Sequence, residues 1–305
     1  MICRLRRIRK EIDDLFKNKL DDNYIYTSID DENIEIIKVL IIGTENTPYK
    51  NGFFFFTVQF SENYPSSPPK VWFYTTNPKI RMNPNLYNNG KVCLSIINTW
   101  GNQDNWTEAM NVKSILLSIQ SMVLCDNPLK NEPGLYINKL KNDNYNKVVS
   151  YCVCDFAIVY NLNNLDLEYP FENNLNKKKM INFSCFKEII HKHFIDNINT
   201  YVEDIKNLHF ENGTNIVKFF TPFEPTKFKC NYIELLKEVI CIYNNLTNKN
   251  EKFLKLIEDV NLEKFTKVKL IKLCKKNKIK NYSRLKKNEL IDLIKIKNEN
   301  FQIII

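Results

Sequence analysis

Histidine, alanine and glycine are scarce in this chain, and where the few occur excludes several chemistries. The 305 residues hold three histidines, His191, His193 and His209, so the first 180 residues contain none. A nucleophile in that stretch has no imidazole close in sequence to take its proton, and a protease-like cysteine–histidine pair is not available locally. His191 and His193 stand two apart, which on a helix puts them on different faces and argues against a metal pair. The nine cysteines form no Cys-x-x-Cys pair, Cys152 and Cys154 being only two apart. An odd number of scattered thiols predicts a reducing, intracellular compartment, cytoplasm or nucleus, with neither a disulfide framework nor a zinc site. No apolar run approaches the roughly 18 residues of a membrane helix, so no membrane partner is expected. Met1 to Lys10 carries five basic residues with no apolar stretch behind them, which predicts no signal peptide. Two alanines and six glycines against abundant Asn, Lys, Ile, Phe and Tyr are the residue usage of an AT-rich genome, such as that of a protist or a large DNA virus.

What the chain does have is a 44% hydrophobic content, ample for one sizeable domain with an appendage. Leu5, Ile8, Ile12, Leu15 and Phe16 recur at helical spacing and predict an amphipathic first helix. Tyr24–Ile29, Ile34–Ile42, Phe53–Phe60 and Val71–Tyr74 read as four strands. Val112, Ile115, Leu116, Ile119, Met122 and Val123 form the apolar stripe of a central helix, capped by Asn111 or Thr107. A further helix is expected over Asn144–Leu162, a polar linker or loop over 163–180, and a helix over Phe186–Leu208. After a break at Asn212–Thr226, Ile233–Tyr243 and Phe253–Val260 read as helical. From Glu263 to Lys297 thirteen Lys/Arg stand against three Asp/Glu, a local charge of +10, while the whole chain carries +9. The basic character therefore belongs to one small module, with Leu270, Leu273, Ile279, Leu285, Leu290, Leu293 and Ile294 as apolar positions for two short helices. Such concentrated charge suits phosphate binding by counterion release, or else a solvated face that docks a partner.

The stretch with most chemical content runs from Asn83 to Ile96. A turn-rich loop, Asn83 to Gly90, precedes Cys93, with Asn85 eight residues upstream of it. A cysteine with no base beside it is either inert or handles an acyl group that arrives already activated. Thioester exchange is chemistry of the second sort, and an asparagine amide suits the oxyanion it forms.

The surroundings resemble the ubiquitin-conjugating (E2) enzymes. Thr47-Pro48-Tyr49-Lys50-Asn51-Gly52, Tyr64-Pro65-Ser66-Ser67-Pro68-Pro69, Trp100, Trp106, Ile115 to Ser121, Asn127-Pro128 and Glu132-Pro133-Gly134 follow the order of that family. Asn83-Pro84-Asn85-Leu86-Tyr87, the insert from Asn98 to Trp106 and the segment Cys185 to Phe194 are similar to the large hybrid E2/E3 enzymes. The resemblance implies an α+β UBC fold: a four-stranded antiparallel sheet with flanking helices over 1–165, a helical extension over 166–212 and a helical connector over 213–262. A basic all-α module over 263–297 follows. It implies that Cys93 accepts ubiquitin from an E1 enzyme as a thioester and passes it to a lysine of a protein substrate. No bound cofactor is implied, and ATP is consumed by the partner E1. Asn85 matches the asparagine that serves the oxyanion or the loop geometry, and Asn83 stands where most members have histidine. Asn131 or Glu132 matches the polar gate near the attacking lysine, with Asp104 and Glu108 as weaker matches. Trp106 is expected as core or as a wall of the cleft, anchoring the loop beyond the cysteine. Thr107-Glu108-Ala109 replaces the usual Ser-Pro-Ala, which puts contacts with RING-type E3 ligases in doubt. The segment Phe265 to Ile291 is similar to SAP-type modules, which bind DNA, with Arg284-Leu285-Lys286-Lys287 where a glycine is usual. Two further readings stay open: a catalytically silent ubiquitin-binding platform whose basic tail holds nucleic acid, and conjugation of another ubiquitin-like modifier.

Overall fold

The computed structural model describes residues 2–77, 80–101, 104–132, 134, 139–171, 179–212, 217–218, 227–228, 231–248, 266–276, 282–283 and 285–300. Helix α1 (Ile2–Lys17) leads into an antiparallel meander of β1 (Ile25–Ile29), β2 (Ile36–Ile42), β3 (Phe53–Gln59) and β4 (Lys70–Phe73), paired in sequence order. Ile36 lies opposite Gln59 and Ile42 opposite Phe53, so the β-branched run of β2 lies along the phenylalanine run of β3. Ile8, Ile12 and Leu15 bury the inner stripe of α1, whereas Leu5 and Phe16, expected on the same stripe, are about half exposed. The second strand starts at Ile36 rather than Ile34, whose side chain is half exposed.

Every residue of β2 and all but the last of β3 are buried, so this sheet is covered on both faces. Successive strand residues point to opposite faces, which assigns the cover. On one face Phe55 stacks on Phe183 at 4.7 Å and Phe53 meets the His193 ring edge-on at 6.0 Å. On the other, Phe54 packs against Tyr49 and Phe56 against Phe73.

The central helix α2 (Val112–Ser118) starts at Asn111, whose side chain and that of Ser114 form a reciprocal capping box. It continues as a π-helical turn, Ile119–Val123, in which Leu124 N donates to Ile119 O at 2.9 Å. The wider turn rotates the chain, so Met122, expected on the buried stripe, is 58% exposed instead. Helix α3 (Lys139–Cys152) runs on through a π-helical stretch, Val153–Tyr160, to the short α4 (Asn161–Asn163). The stretch expected as a linker holds an antiparallel pair, β5 (Tyr169–Phe171) with β6 (Lys179–Ile181), because Phe171 and Ile181 bury against the core. The helix expected over 186–208 is two, α5 (Lys187–Asp196) and α6 (Ile198–Asn212), separated at Asn197.

A two-residue ladder, β7 (Val217–Lys218) with β8 (Lys227–Phe228), precedes α7 (Tyr232–Thr247). One hydrophobic cluster reaches from Ile8 to Tyr243. The helix expected at Phe253–Val260 lies outside the described residues. Helices α8 (Lys267–Lys276) and α9 (Lys287–Asn300) enclose a small cluster of their own, Leu270, Cys274, Leu290 and Ile291. The side chains of Leu273, Ile279 and Ile294 lie outside the described residues, and Cys274 fills a core position that was not foreseen. Among the described residues no helix is long and apolar enough to cross a membrane.

Candidate active site

Gly90 decides the path of the loop that carries Cys93. Its φ of +86° lies in the left-handed region, and a Cβ there would stand 2.9 Å from Phe73 O. Only glycine lets the loop come this close to β4, and Phe73 N donates to Gly90 O at 2.8 Å. Gly90 N also donates to Tyr87 O at 2.9 Å, and Tyr87 N to Lys91 O at 3.0 Å, which closes a tight turn. The Arg81 guanidinium lies 3.6 Å from the Tyr87 ring centroid, and its Nη2 donates to Pro84 O.

Asn85 and Cys93 face each other across this turn. Cys93 N donates to Asn85 O at 2.8 Å, and Asn85 Nδ2 donates to Cys93 O at 2.7 Å. Asn85 thus bridges the two strands of the loop. Among the described residues Asn85 Oδ1 is buried without a partner, and Cys93 is 3% exposed.

Asn83 is fully buried and satisfies three groups at once. Its Nδ2 donates to Tyr49 Oη and to Val123 O, each at 2.7 Å, and its Oδ1 accepts from Asn85 N at 2.7 Å. An amide carries two donors and an acceptor, one donor more than a neutral imidazole, and all are used here. Tyr49 Oη in turn donates to Met82 O at 2.8 Å. Burial pushes the Tyr49 hydroxyl well above its ordinary value, which keeps it neutral and able to donate.

Beyond the cysteine, Thr99 Oγ1 donates to Val92 O at 2.8 Å and accepts from Leu94 N at 2.9 Å. Asn98 Oδ1 gathers the N–H groups of Asn105 and Trp106, at 2.8 and 3.0 Å, and its Nδ2 donates to Asp104. Trp106, expected as core or as a wall of the cleft, is 6% exposed, and its indole N–H donates to Pro65 O at 2.7 Å.

Asn131 Nδ2 donates to Met122 O at 2.7 Å, and no hydrogen bond or ion pair joins Asn131 or Glu132 to residues 83–94 among the described residues. Burial raises the Tyr145 hydroxyl, which donates to Arg81 O at 2.9 Å. Asp104 is engaged by Asn98, and Glu108 accepts from Ser66 Oγ at 2.6 Å. Among the other thiols, burial pushes Cys154 up to about 12 and also raises Cys125 and Cys185. Sequence reasoning missed Tyr49, Arg81 and Thr99, although Tyr49 and Thr99 stand inside blocks that carried the resemblance.

Residues 7–153 match the family model described as ubiquitin-conjugating enzyme. Ubiquitin-conjugating enzyme E2 Z of Xenopus tropicalis is 30% identical over 254 residues, covering 81% of this chain and 73% of that protein. The chain belongs to the ubiquitin-conjugating enzyme family. It is also 38% identical over 200 residues to Probable ubiquitin-conjugating enzyme protein 17 of Caenorhabditis elegans, covering 62% of this chain and 25% of that one. With the human Dual E2 ubiquitin-conjugating enzyme/E3 ubiquitin-protein ligase BIRC6 it shares 37% identity over 180 residues, 56% of this chain and 3% of that protein. The match thus spans a quarter or less of those two relatives. The likeness to the ubiquitin-conjugating enzymes runs through the Cys93 loop, and the four-stranded sheet with flanking helices is the fold expected of the family.

Proposed function

We propose that this chain is an active E2 whose Cys93 accepts the C-terminal carboxyl of ubiquitin from an E1 enzyme and passes it to a substrate lysine. The observation that carries this reading is the reciprocal hydrogen bonding of Asn85 and Cys93, which holds a thiol and an amide side chain in one fixed loop. ATP is consumed by the E1, and this chain needs no bound cofactor. In transfer, the lysine amine attacks the thioester carbonyl. A C–N bond forms, the C–S bond breaks, sulfur leaves as thiolate and the amine proton goes to solvent. Because the thioester supplies the leaving group, the protein's work is to orient the amine and to stabilise the oxyanion. Asn85 serves the loop and the oxyanion, and Asn131 or Glu132 supplies the polar gate for the amine. Transfer without a separate E3 follows the hybrid likeness, and Glu108, held by Ser66, stands where RING-type ligases would look for a proline. The direct test charges the protein with E1, ubiquitin and ATP and then chases it with free lysine and no E3. Appearance of ubiquitin–lysine as the adduct decays supports the reading. A protein that never becomes charged supports a silent ubiquitin-binding platform.

The basic module favours a second role, docking of the enzyme on nucleic acid. Lys267, Lys272, Lys275 and Lys286 are exposed on α8 and at the start of α9, and among the described residues none of them forms an ion pair. At a slope of about −0.9 per phosphate neutralised, four such contacts give a log–log salt dependence of roughly −3.6. Titration of a labelled duplex against the full chain, and against a chain lacking 263–305, reads this slope. Retention of DNA binding by the truncated chain removes the role.

A further inference from the structure

Two peptide units flank Cys93, Val92–Cys93 and Cys93–Leu94, and Asn85 and Thr99 between them hold all four of their polar groups. The N–H and carbonyl of Cys93 itself are held by Asn85, at 2.8 and 2.7 Å. One residue further out on each side, the Val92 carbonyl and the Leu94 N–H both meet Thr99 Oγ1, at 2.8 and 2.9 Å. A hydroxyl has one proton and two lone pairs, so a single oxygen donates to Val92 and accepts from Leu94. No aliphatic side chain of the same shape does this. Thr99 is itself anchored: its N–H donates to Leu94 O at 3.1 Å across the turn Ser95–Ile97, and Asn98 beside it takes a left-handed φ of 57°.

We propose that Thr99 is a positioning residue for Cys93, an inference that rests on reading Cys93 as the acyl acceptor. Asn85 holds one end of each peptide unit, through its own backbone carbonyl and its side-chain amide. Thr99 holds the opposite end of both through one hydroxyl, so each planar unit is pinned at its N–H and at its carbonyl. The direction of the Cys93 Cα–Cβ bond, and with it the thioester carbonyl presented to the amine, follows from the φ and ψ these four groups hold. A reacting atom displaced by about 1 Å loses up to a hundredfold in rate. Thr99 is exposed while the groups it holds belong to buried residues, so losing its hydroxyl frees the loop without cutting into the core.

The test compares Thr99→Val, which keeps the shape without the hydroxyl, with Thr99→Ser, which keeps the hydroxyl. Each full-length protein is charged with ubiquitin and chased with free lysine over a range of concentrations, in single turnover and normalised to charged protein. Thr99→Val is expected to lower the saturating discharge rate about tenfold or more. The lysine concentration for half-maximal discharge stays unchanged, and Thr99→Ser remains within about twofold of wild type. A second readout needs no ubiquitin. Iodoacetamide labelling of Cys93, followed by peptide mass mapping, changes severalfold in Thr99→Val while labelling of Cys125 does not. Wild-type discharge and wild-type labelling in Thr99→Val would overturn the inference. So would a Thr99→Ser variant as slow as Thr99→Val. A wild-type protein that cannot be charged sinks the acyl-acceptor reading instead, and the labelling rates then decide the positioning role alone.

Discussion

Replacing Asn83 with alanine should destabilise this protein more than any other single change in the loop. The side chain is fully buried and makes three hydrogen bonds of 2.7 Å. Truncation strands the Asn85 N–H and removes a donor from the Val123 carbonyl and another from Tyr49 Oη. Tyr49 still donates to Met82 O and loses least. With a cost of about 1–3 kcal/mol for each buried group left unpaired, two such groups set the expected loss at about 2–6 kcal/mol. At roughly 2–4 °C per kcal/mol, the melting temperature falls by about 4–24 °C. Asn88→Ala, at an exposed position of the same loop, serves as the control and should stay within about 0.5 kcal/mol. Urea unfolding of the three proteins, followed by circular dichroism, gives the comparison. A loss in Asn83→Ala below about 1 kcal/mol, or equal to that of Asn88→Ala, would refute the assignment of Asn83 as the anchor of the loop.

Gly90 and Gly101 both have left-handed φ, +86° and +78°, but only Gly90 is crowded, by Phe73 O, so the two alanine variants separate strain from clash. Gly101→Ala is expected to cost about 1–2 kcal/mol and Gly90→Ala measurably more, with equal melting temperatures counting against the close approach to β4. His193 gives a pH dependence. Burial holds its imidazole below the ordinary 6.5 despite the opposing charge of Asp196, so below that pH the unfolded chain takes up a proton that the folded chain refuses. Stability therefore falls on acidification through 6.5, and His193→Gln should flatten the change in urea midpoint between about pH 7 and pH 5.5. His191, also lowered by burial and by Lys187, supplies part of the slope that remains. An unaltered slope in His193→Gln would contradict this.

The meander was legible because strand preference is local: the Ile and Val of β2 and the phenylalanines of β3 announce themselves. The Cys93 loop was legible because Pro84, Asn85, Gly90 and Cys93 keep a recognisable spacing. What fixes that loop was not, since Asn83 finds its partners 34 and 40 residues away in Tyr49 and Val123. Nothing in the pattern around Asn83 points to either. Met122 was misplaced because helical periodicity assumes 3.6 residues per turn, and the π-helical turn after Ser118 breaks that rhythm. The pair β5–β6 was overlooked because three-residue strands, one of them with a central proline, carry almost no periodic signal. Their burial depends on Phe183 and Tyr74, which no local window brings together.

The central claim, that Cys93 is the acyl acceptor, is tested most directly by intact-mass analysis after incubation with E1, ubiquitin and ATP. Wild type should gain one ubiquitin that reductant removes, Cys93→Ser one that reductant leaves in place, and Cys93→Ala none. A ubiquitin adduct that persists in Cys93→Ala, or the absence of any adduct on wild type, would contradict the account.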